Sequence, residues 1–506
     1  MRQPFNAIAL LALGCLILFT APRGIAQGYD TPLTIQGMNN VTMHSAASRA
    51  TGGITLGVRN DASIMFANPS LLYSIANFQI SLGGVQQSTY TKQDQLYGGL
   101  QTHSAFNLLV EGVTDWISDP DTILGVPTAG DTVQRPFDKI GPNWNRTKNK
   151  TLPLQAFIAA PFAVEDIPIV IGLGVVEYAN LNRYYQNNNC FSPSVLSVLN
   201  GTIATTTLNT TPYITQWYQY AQERNGSLHG YGLALSAAPL ENLSLGFSGM
   251  YIKGSTDDFE ARLGRGMMTF RTSELRLSKN NVLSYTKTGT SDYSGTELTF
   301  AANYRGKRFT VGYSVKPPMT ITRSYSSQTV FDSVTAVSRV SHRVDSLHTQ
   351  WSTGAGGEDR VKLPWRGTVG VSVDVRNDVT IGLEYEVRPF AAAAYTRSDG
   401  VESKPWLSGS LWHVGVEYRP AEWISLRGGV RENAEAFEPL SDAIRGEAVK
   451  YTVYSLGAGL FAAGMRLGIA YEYSDMKYVD TWSNAASINR EIRHNVVATV
   501  AYDLPW

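Results

Sequence analysis

The hydrophobic pattern of this chain has period two over most of its length. From residue 494 to the C-terminus, His494, Val496, Ala498, Val500, Tyr502, Leu504 and Trp506 fill one set of alternate positions. Asn495, Val497, Thr499, Ala501, Asp503 and Pro505 fill the other. One face is bulky and mostly apolar, the other smaller and more polar, which is strand alternation. The same signature recurs at 465–473, 412–418, 379–387, 369–375 and 298–304. In the 379–387 stretch, for example, Val379, Ile381, Leu383 and Tyr385 alternate with Thr380, Gly382, Glu384 and Glu386. A soluble sandwich buries its bulky face in a shared core. A membrane barrel turns that face to lipid and keeps the polar one in its lumen.

The connections discriminate between the two. Strands are expected at 76–90, 152–163, 168–184, 228–238, 242–255, 293–305, 308–318, 366–375, 379–390, 409–419, 424–433, 450–461, 464–474 and 493–506, which is 14, an even number. Short connections at 164–167, 239–241, 306–307, 376–378, 420–423 and 462–463 alternate with long ones at 91–151, 185–227, 256–292, 319–365, 391–408, 434–449 and 475–492. Short turns on one side and long loops on the other mark an outer-membrane barrel, and both termini then fall on the periplasmic side. Lipid cannot hydrogen-bond an open sheet edge, so the last strand must pair with the first. The expected fold class is therefore all-β: a 14-stranded antiparallel transmembrane β-barrel. Trp423 and Trp506 at periplasmic strand ends, with Trp365 and Trp406 near outer ends, fit aromatic girdles.

Composition narrows the classes further. The chain has 506 residues with 42 Lys+Arg and 42 Asp+Glu, so it lacks the basic surplus of a nucleic-acid binder. Its 46 Gly, 26 Tyr and 10 Trp suit strands and turns. Two cysteines exclude a disulfide-built fold and a Cys-based zinc site, and no cofactor or metal is expected. Residues 1–26 read as a cleaved secretory signal: Arg2, an apolar run at 7–19, then Gly24 and Ala26 at the −3 and −1 positions. Lipidation at Cys15 is disfavoured because 16–19 continue apolar, which leaves Cys190 as a lone loop thiol. No later run reaches the length of a spanning helix.

Residues 27–75 carry no sustained period and precede the barrel of 76–506. A ring of this many strands is wide enough to hold a plug. The stretch contains Asp61-Ala62-Ser63 and Asn68-Pro69-Ser70. This resembles the N-terminal hatch of the FadL family of long-chain fatty acid transporters and hydrocarbon channels, with Ser70 in place of the usual Ala. Residues 46–53 are also similar to that hatch, and 362–373 with 379–383, and 413–420 with 424–429, resemble the family's late strand pairs. Loops 91–151, 185–227 and 319–365 show no such likeness. The resemblance implies that outer loops catch an amphiphile and pass it to an apolar pocket. Hatch movement then releases it through a lateral gap beside a kinked third strand. Here that strand is 168–184, where Pro168, Gly172 and Gly174 permit bending. Tyr502, Leu504 and Trp506 resemble the C-terminal signal read by the barrel-assembly machinery, with Trp for the usual Phe.

The expected lumen face carries Arg305, Lys316, Glu384, Glu386, Arg388, Arg427, Arg431, Arg466 and Glu472. Arg305, Arg427 and Arg431 are candidate anchors for a substrate carboxylate, against the favoured reading of a mutually paired interior ladder. Asp119 and Asp121 have calcium-ligand chemistry, but Pro120 between them favours a plain turn. No Gly-x-Ser-x-Gly, phosphate loop or His-Glu-x-x-His occurs. The chain reads as no enzyme; a barrel lipase assembled from Ser and His on adjacent strands is the remote alternative. The expectation is passive transport of long-chain fatty acids or other hydrophobic compounds across the bacterial outer membrane. Its partners are then the hydrophobic substrate, membrane lipid and the assembly machinery. The alternative is a secretion or surface-assembly role, with a secreted protein held by loops such as the Tyr- and Asn-rich 184–189.

Overall fold

The computed structural model describes residues 45–95, 117–118, 134–135, 140–141, 143–165, 167–193, 205–271, 275–278, 281–340, 343–404, 406–435, 449–480 and 487–505. The expected signal sequence, Cys15, Asp119, Asp121 and Trp506 lie outside the described residues.

Fourteen antiparallel strands close into one barrel. They are β1 (Phe78–Gln95), β2 (Trp144–Val164), β3 (Ile167–Asn180), β4 (Tyr213–Leu240), β5 (Leu243–Phe270), β6 (Val282–Arg305) and β7 (Phe309–Lys316). They continue with β8 (Arg366–Arg376), β9 (Val379–Arg388), β10 (Gly409–Ala421), β11 (Ile424–Glu435), β12 (Val449–Ala462), β13 (Met465–Asp480) and β14 (Ser487–Leu504). Closure is by β1 on β14, in register from Phe78 opposite Leu504 to Gln95 opposite Ser487. The tight turns follow from local chemistry. Between β12 and β13, Ala463 and Gly464 both have positive φ (50° and 76°), the backbone that a two-residue hairpin of this twist needs.

Burial is inverted relative to a soluble protein. Ile80, Leu173, Leu233, Ile381, Val414 and Leu456 are exposed on the outside, while Gln79, Ser236, Glu384, His413 and Ser455 are buried on the inside. Such a surface is stable only against hydrocarbon, so the barrel spans a membrane.

The strands run further than alternation alone indicated. Expected 228–238 is Tyr213–Leu240, and expected 242–255 is Leu243–Phe270. At roughly 3.3 Å per residue, 28 residues extend about 90 Å, well beyond the 9–11 residues that cross a bilayer. The expected loops 256–292 and 319–365 are largely strand, with Met319–Val340 pairing against Arg343–Leu363. Above the lipid both faces meet polar surroundings, so the alternation that marks a spanning strand disappears although the ladder continues. Pro317-Pro318 separates β7 from its continuation, and Pro364 separates β8 from its own, because proline cannot donate to a ladder.

Two expectations are corrected. Trp406 does not sit in a girdle; it is 3% exposed inside the barrel. Cys190 is not a loop thiol but lies fully buried in the strand Arg183–Ser192, which continues β3 inward against β4. Trp423 is 60% exposed at the β10–β11 turn, as a girdle residue would be.

Candidate functional site

Residues 45–75 occupy the space enclosed by the strands' polar faces. Their folding is local. Ser45 caps the short helix α1 (Ala46–Ala50) by accepting from Ser48 N at 3.2 Å, and its own hydroxyl donates to Asp61 Oδ2 at 2.6 Å. Asp61 in turn accepts from Ser63 N at 3.0 Å and Ser63 Oγ at 2.6 Å, capping the turn Ala62–Ile64. Pro69 opens the next turn, Pro69–Ser74.

The motif residues also dock the segment on the wall. Asn68 and Asn303 of β6 exchange side-chain hydrogen bonds at 3.4 and 3.2 Å. Ser70 Oγ donates to Asn68 Oδ1 at 2.7 Å and accepts from Asn303 Nδ2. Ala62 N donates to Gln79 Oε1 at 2.7 Å. Gly246 is required here: a Cβ at that position would lie 2.1 Å from Ser70 N. On the opposite wall Glu384 Oε1 accepts from Thr55 N (2.6 Å), Thr55 Oγ1 (2.9 Å) and Leu56 N (2.8 Å). His413 Nδ1 donates to Gly52 O at 2.9 Å.

The lumen has two chemically distinct sides. An apolar column rises from Met65, Phe66 and Leu72 past Tyr178 and Ile252 to Leu363. Beside it, β3 leaves the wall. Its ladder with β2 runs from Ile167 opposite Val164 to Val175 opposite Ala156 and stops there. β2 stays paired with β1 as far as Trp144 opposite Gln93. Val176, Glu177, Tyr178 and Ala179 are buried in succession, and Tyr178 crosses the lumen to donate to Glu297 of β6 at 2.9 Å. The bend is therefore at 176–181 and not at the expected Pro168, Gly172 and Gly174. Those glycines sit in the intact ladder, where Met65 and Phe66 pack on their bare Cα positions. Glu297 is held between Lys316 and Arg366; the carboxylate and Arg366 are buried and Lys316 is half-buried.

The other side holds a polar cavity of about 190 Å³ above α1, bounded by β1, β2 and β9–β14 and by Asn180 to Tyr184 where β3 turns inward. A second, of about 110 Å³, lies between the 45–75 segment and β7–β10; Arg388 and His413 border both. The apolar pocket implied by the resemblance is thus not what the first cavity offers among the described residues: its aliphatic lining is Val85, Leu411 and Val453.

The candidate anchors separate. Arg427 Nε donates to Glu417 at 2.5 Å and Arg431 Nη1 to Glu472 at 2.6 Å, members of a paired ladder. Arg305 is exposed at the short-turn end of β6. Of the three, Arg431 alone lines the cavity. Tyr502 and Leu504 are on β14, paired with β1 near the short turns. Sequence reasoning missed Arg49, Lys150 and Tyr178; Arg49 lay within the quoted 46–53 stretch but pointed to no partner until the barrel closed around it.

A closed transmembrane barrel of 14 antiparallel strands is the class defined by this fold. No protein-family model and no curated protein matches the chain by sequence. Solved structures match it by shape. A Pseudomonas aeruginosa FadL homologue superposes with TM-score 0.55 at 12% identity, over 92% of this chain and 99% of that one. The P. putida toluene transporter TodX gives 0.53 at 10%, over 92% and 100%. The Ralstonia pickettii toluene transporter TbuX gives 0.51 at 11%, over 92% and 100%. The fold is accordingly of the FadL type.

Proposed function

We propose that this chain is an outer-membrane channel for the passive passage of hydrophobic compounds, long-chain fatty acids or hydrocarbons, with 27–75 acting as a hatch. The observation that carries the reading is the end of the β2–β3 ladder at Ala156 and Val175, beside the apolar column. There the lumen wall is unzipped next to the surface that meets lipid, and an apolar solute can leave sideways without crossing the polar half. Hatch movement in this reading breaks the Asn68–Asn303 and Glu384 contacts. The shape likeness to toluene transporters supports the substrate class. Both termini face the periplasm, and Tyr502, Leu504 and Trp506 serve barrel assembly.

The test is a tether. Ser70→Cys with Asn303→Cys, in a Cys190→Ser background, joins the hatch to β6. Uptake of labelled oleate and toluene by cells carrying the oxidised protein is expected to stop and to return on reduction. Undiminished uptake with the crosslink verified overturns the reading.

The secretion role is favoured by one observation. The hairpin of Met319–Val340 and Arg343–Leu363 projects beyond the spanning part and displays a stacked Phe331–Trp351 pair, with Trp351 43% exposed. A stoichiometric protein retained through gentle extraction and seen by native mass spectrometry, with no bound amphiphile, would select it.

A further inference from the structure

The polar cavity above α1 is lined by eight Arg or Lys side chains, and among the described residues Glu491 is its one carboxylate. Most of these cations have carboxylate partners behind them: Arg146 on Glu223, Arg388 on Glu386, Arg493 on Glu491. Lys148 shares Glu223 with Arg146, and a second shared carboxylate lies where α1 meets the wall. Arg49, 8% exposed, places Nη2 3.2 Å from Glu472 Oε2, while Arg431 takes the other oxygen of the same carboxylate at 2.6 Å. Two guanidinium groups thus share one negative charge. Arg49 Nε and Nη1 have no hydrogen-bond partner among the described residues and are themselves shut off from solvent, so what Arg49 presents to the cavity is mainly uncompensated charge. The ammonium of Lys150, on the same cavity, is 3.9 Å from Glu177, its nearest carboxylate among the described residues and beyond hydrogen-bond reach.

A buried guanidinium in a local excess of one positive charge is costly unless an anion balances it. We propose that this cavity is a binding site for a small hydrophilic oxyanion, a short carboxylate or a phosphate, held by Arg49 with Lys150 beside it. Eight cationic side chains around so small a space favour a charged, hydrophilic ligand over an alkyl tail there. The site is therefore separate from the apolar column and adds a polar ligand to a hydrophobic channel. Because Arg49 belongs to the 45–75 segment and not to the wall, the bound anion also ties that segment to β2, β11 and β13.

The test uses the full-length mature protein in a neutral detergent, titrated calorimetrically with sodium succinate, with inorganic phosphate and with glycerol as the uncharged control. At least one oxyanion is expected to bind and glycerol not. Arg49→Gln is expected to weaken binding about tenfold or more, Arg49→Lys to keep part of it, and Lys150→Gln to weaken it by a smaller factor. Succinate alone or phosphate alone would identify the headgroup. Binding of neither oxyanion by the wild type, or equal binding by Arg49→Gln, overturns the proposal. If Arg49→Gln does not assemble, judged by heat-modifiable gel mobility, the Lys150→Gln and Arg49→Lys titrations decide, and wild-type affinity in both overturns it. Binding of the hydrophobic dye N-phenyl-1-naphthylamine, followed in parallel, is expected to be the same in the wild type and in Lys150→Gln, whose side chain is on the wall. Its absence from the wild type counts against the hydrophobic channel and leaves the anion site standing.

Discussion

Glu384 offers the sharpest test of how the inner segment is held. Its Oε1 accepts three hydrogen bonds, from Thr55 N, Thr55 Oγ1 and Leu56 N, at 2.6 to 2.9 Å, and the residue is 2% exposed. Hydrogen bonds to a charged acceptor contribute about 1.5–3 kcal/mol each. Three that share one oxygen add less than their sum, so Glu384→Ala is expected to destabilise local docking by about 3–6 kcal/mol. At 1.4 kcal/mol per factor of ten, the lower bound already raises local opening by about two powers of ten. Glu384→Gln keeps an acceptor and loses the charge, for about 1 kcal/mol and a several-fold effect. The assay is hydrogen exchange of peptides covering 52–60, with gel mobility reporting barrel assembly. Exchange of the Thr55 and Leu56 amides that stays at the wild-type rate in an assembled Glu384→Ala barrel would refute the reasoning, since their acceptor would then not be this carboxylate.

Gly246→Leu forces atoms into Ser70 and is expected to leave the barrel assembled while trypsin cleaves at Arg59 faster than in the wild type. Glu297→Gln leaves buried Arg366 and half-buried Lys316 without their shared carboxylate and is expected to cost about 3–5 kcal/mol in urea unfolding; adding Lys316→Met recovers part of the loss. Above the membrane, burial raises the Glu223 carboxyl, but hydrogen bonds from Arg146 and Asn225 together with the charges of Arg146 and Lys148 outweigh it and hold its pKa below the ordinary value. The tie between β2 and β4 is therefore complete above the ordinary carboxylate range and is lost as pH falls through the lowered one. Acid titration of Trp144 fluorescence is expected to show that step in the wild type and to lose it in Glu223→Gln.

The barrel itself was legible because its signal is local. Each spanning strand must present apolar groups to lipid and small or polar ones to the lumen every second residue, and Val379 to Val387 carries that message without any neighbour. Turn residues such as Gly464 and the alternation of short and long connections then fixed the even count and the closure of β14 on β1. The strand extensions above the membrane were not legible, since with both faces in polar surroundings Thr286 to Thr290 has no period to read although it pairs throughout. Trp406 misled for the related reason that an aromatic near a strand end suits a girdle or an interior equally.

Legible in the residues alone is the inventory: a membrane barrel, an aperiodic leading segment carrying Asp61-Ala62-Ser63 and Asn68-Pro69-Ser70, and charges of both signs for the lumen. Partner choice was decided only by the tertiary structure. Thr55 meets Glu384 across 329 residues and Asn68 meets Asn303 across 235. Arg431 was visible as a lumen charge, but that it shares Glu472 with Arg49, and that Arg49 is left with idle donors, depends on which strands closure brings to one side of α1. The physical reason is that a residue's type states what it can bond, while the geometry of closure states what is within 3 Å of it.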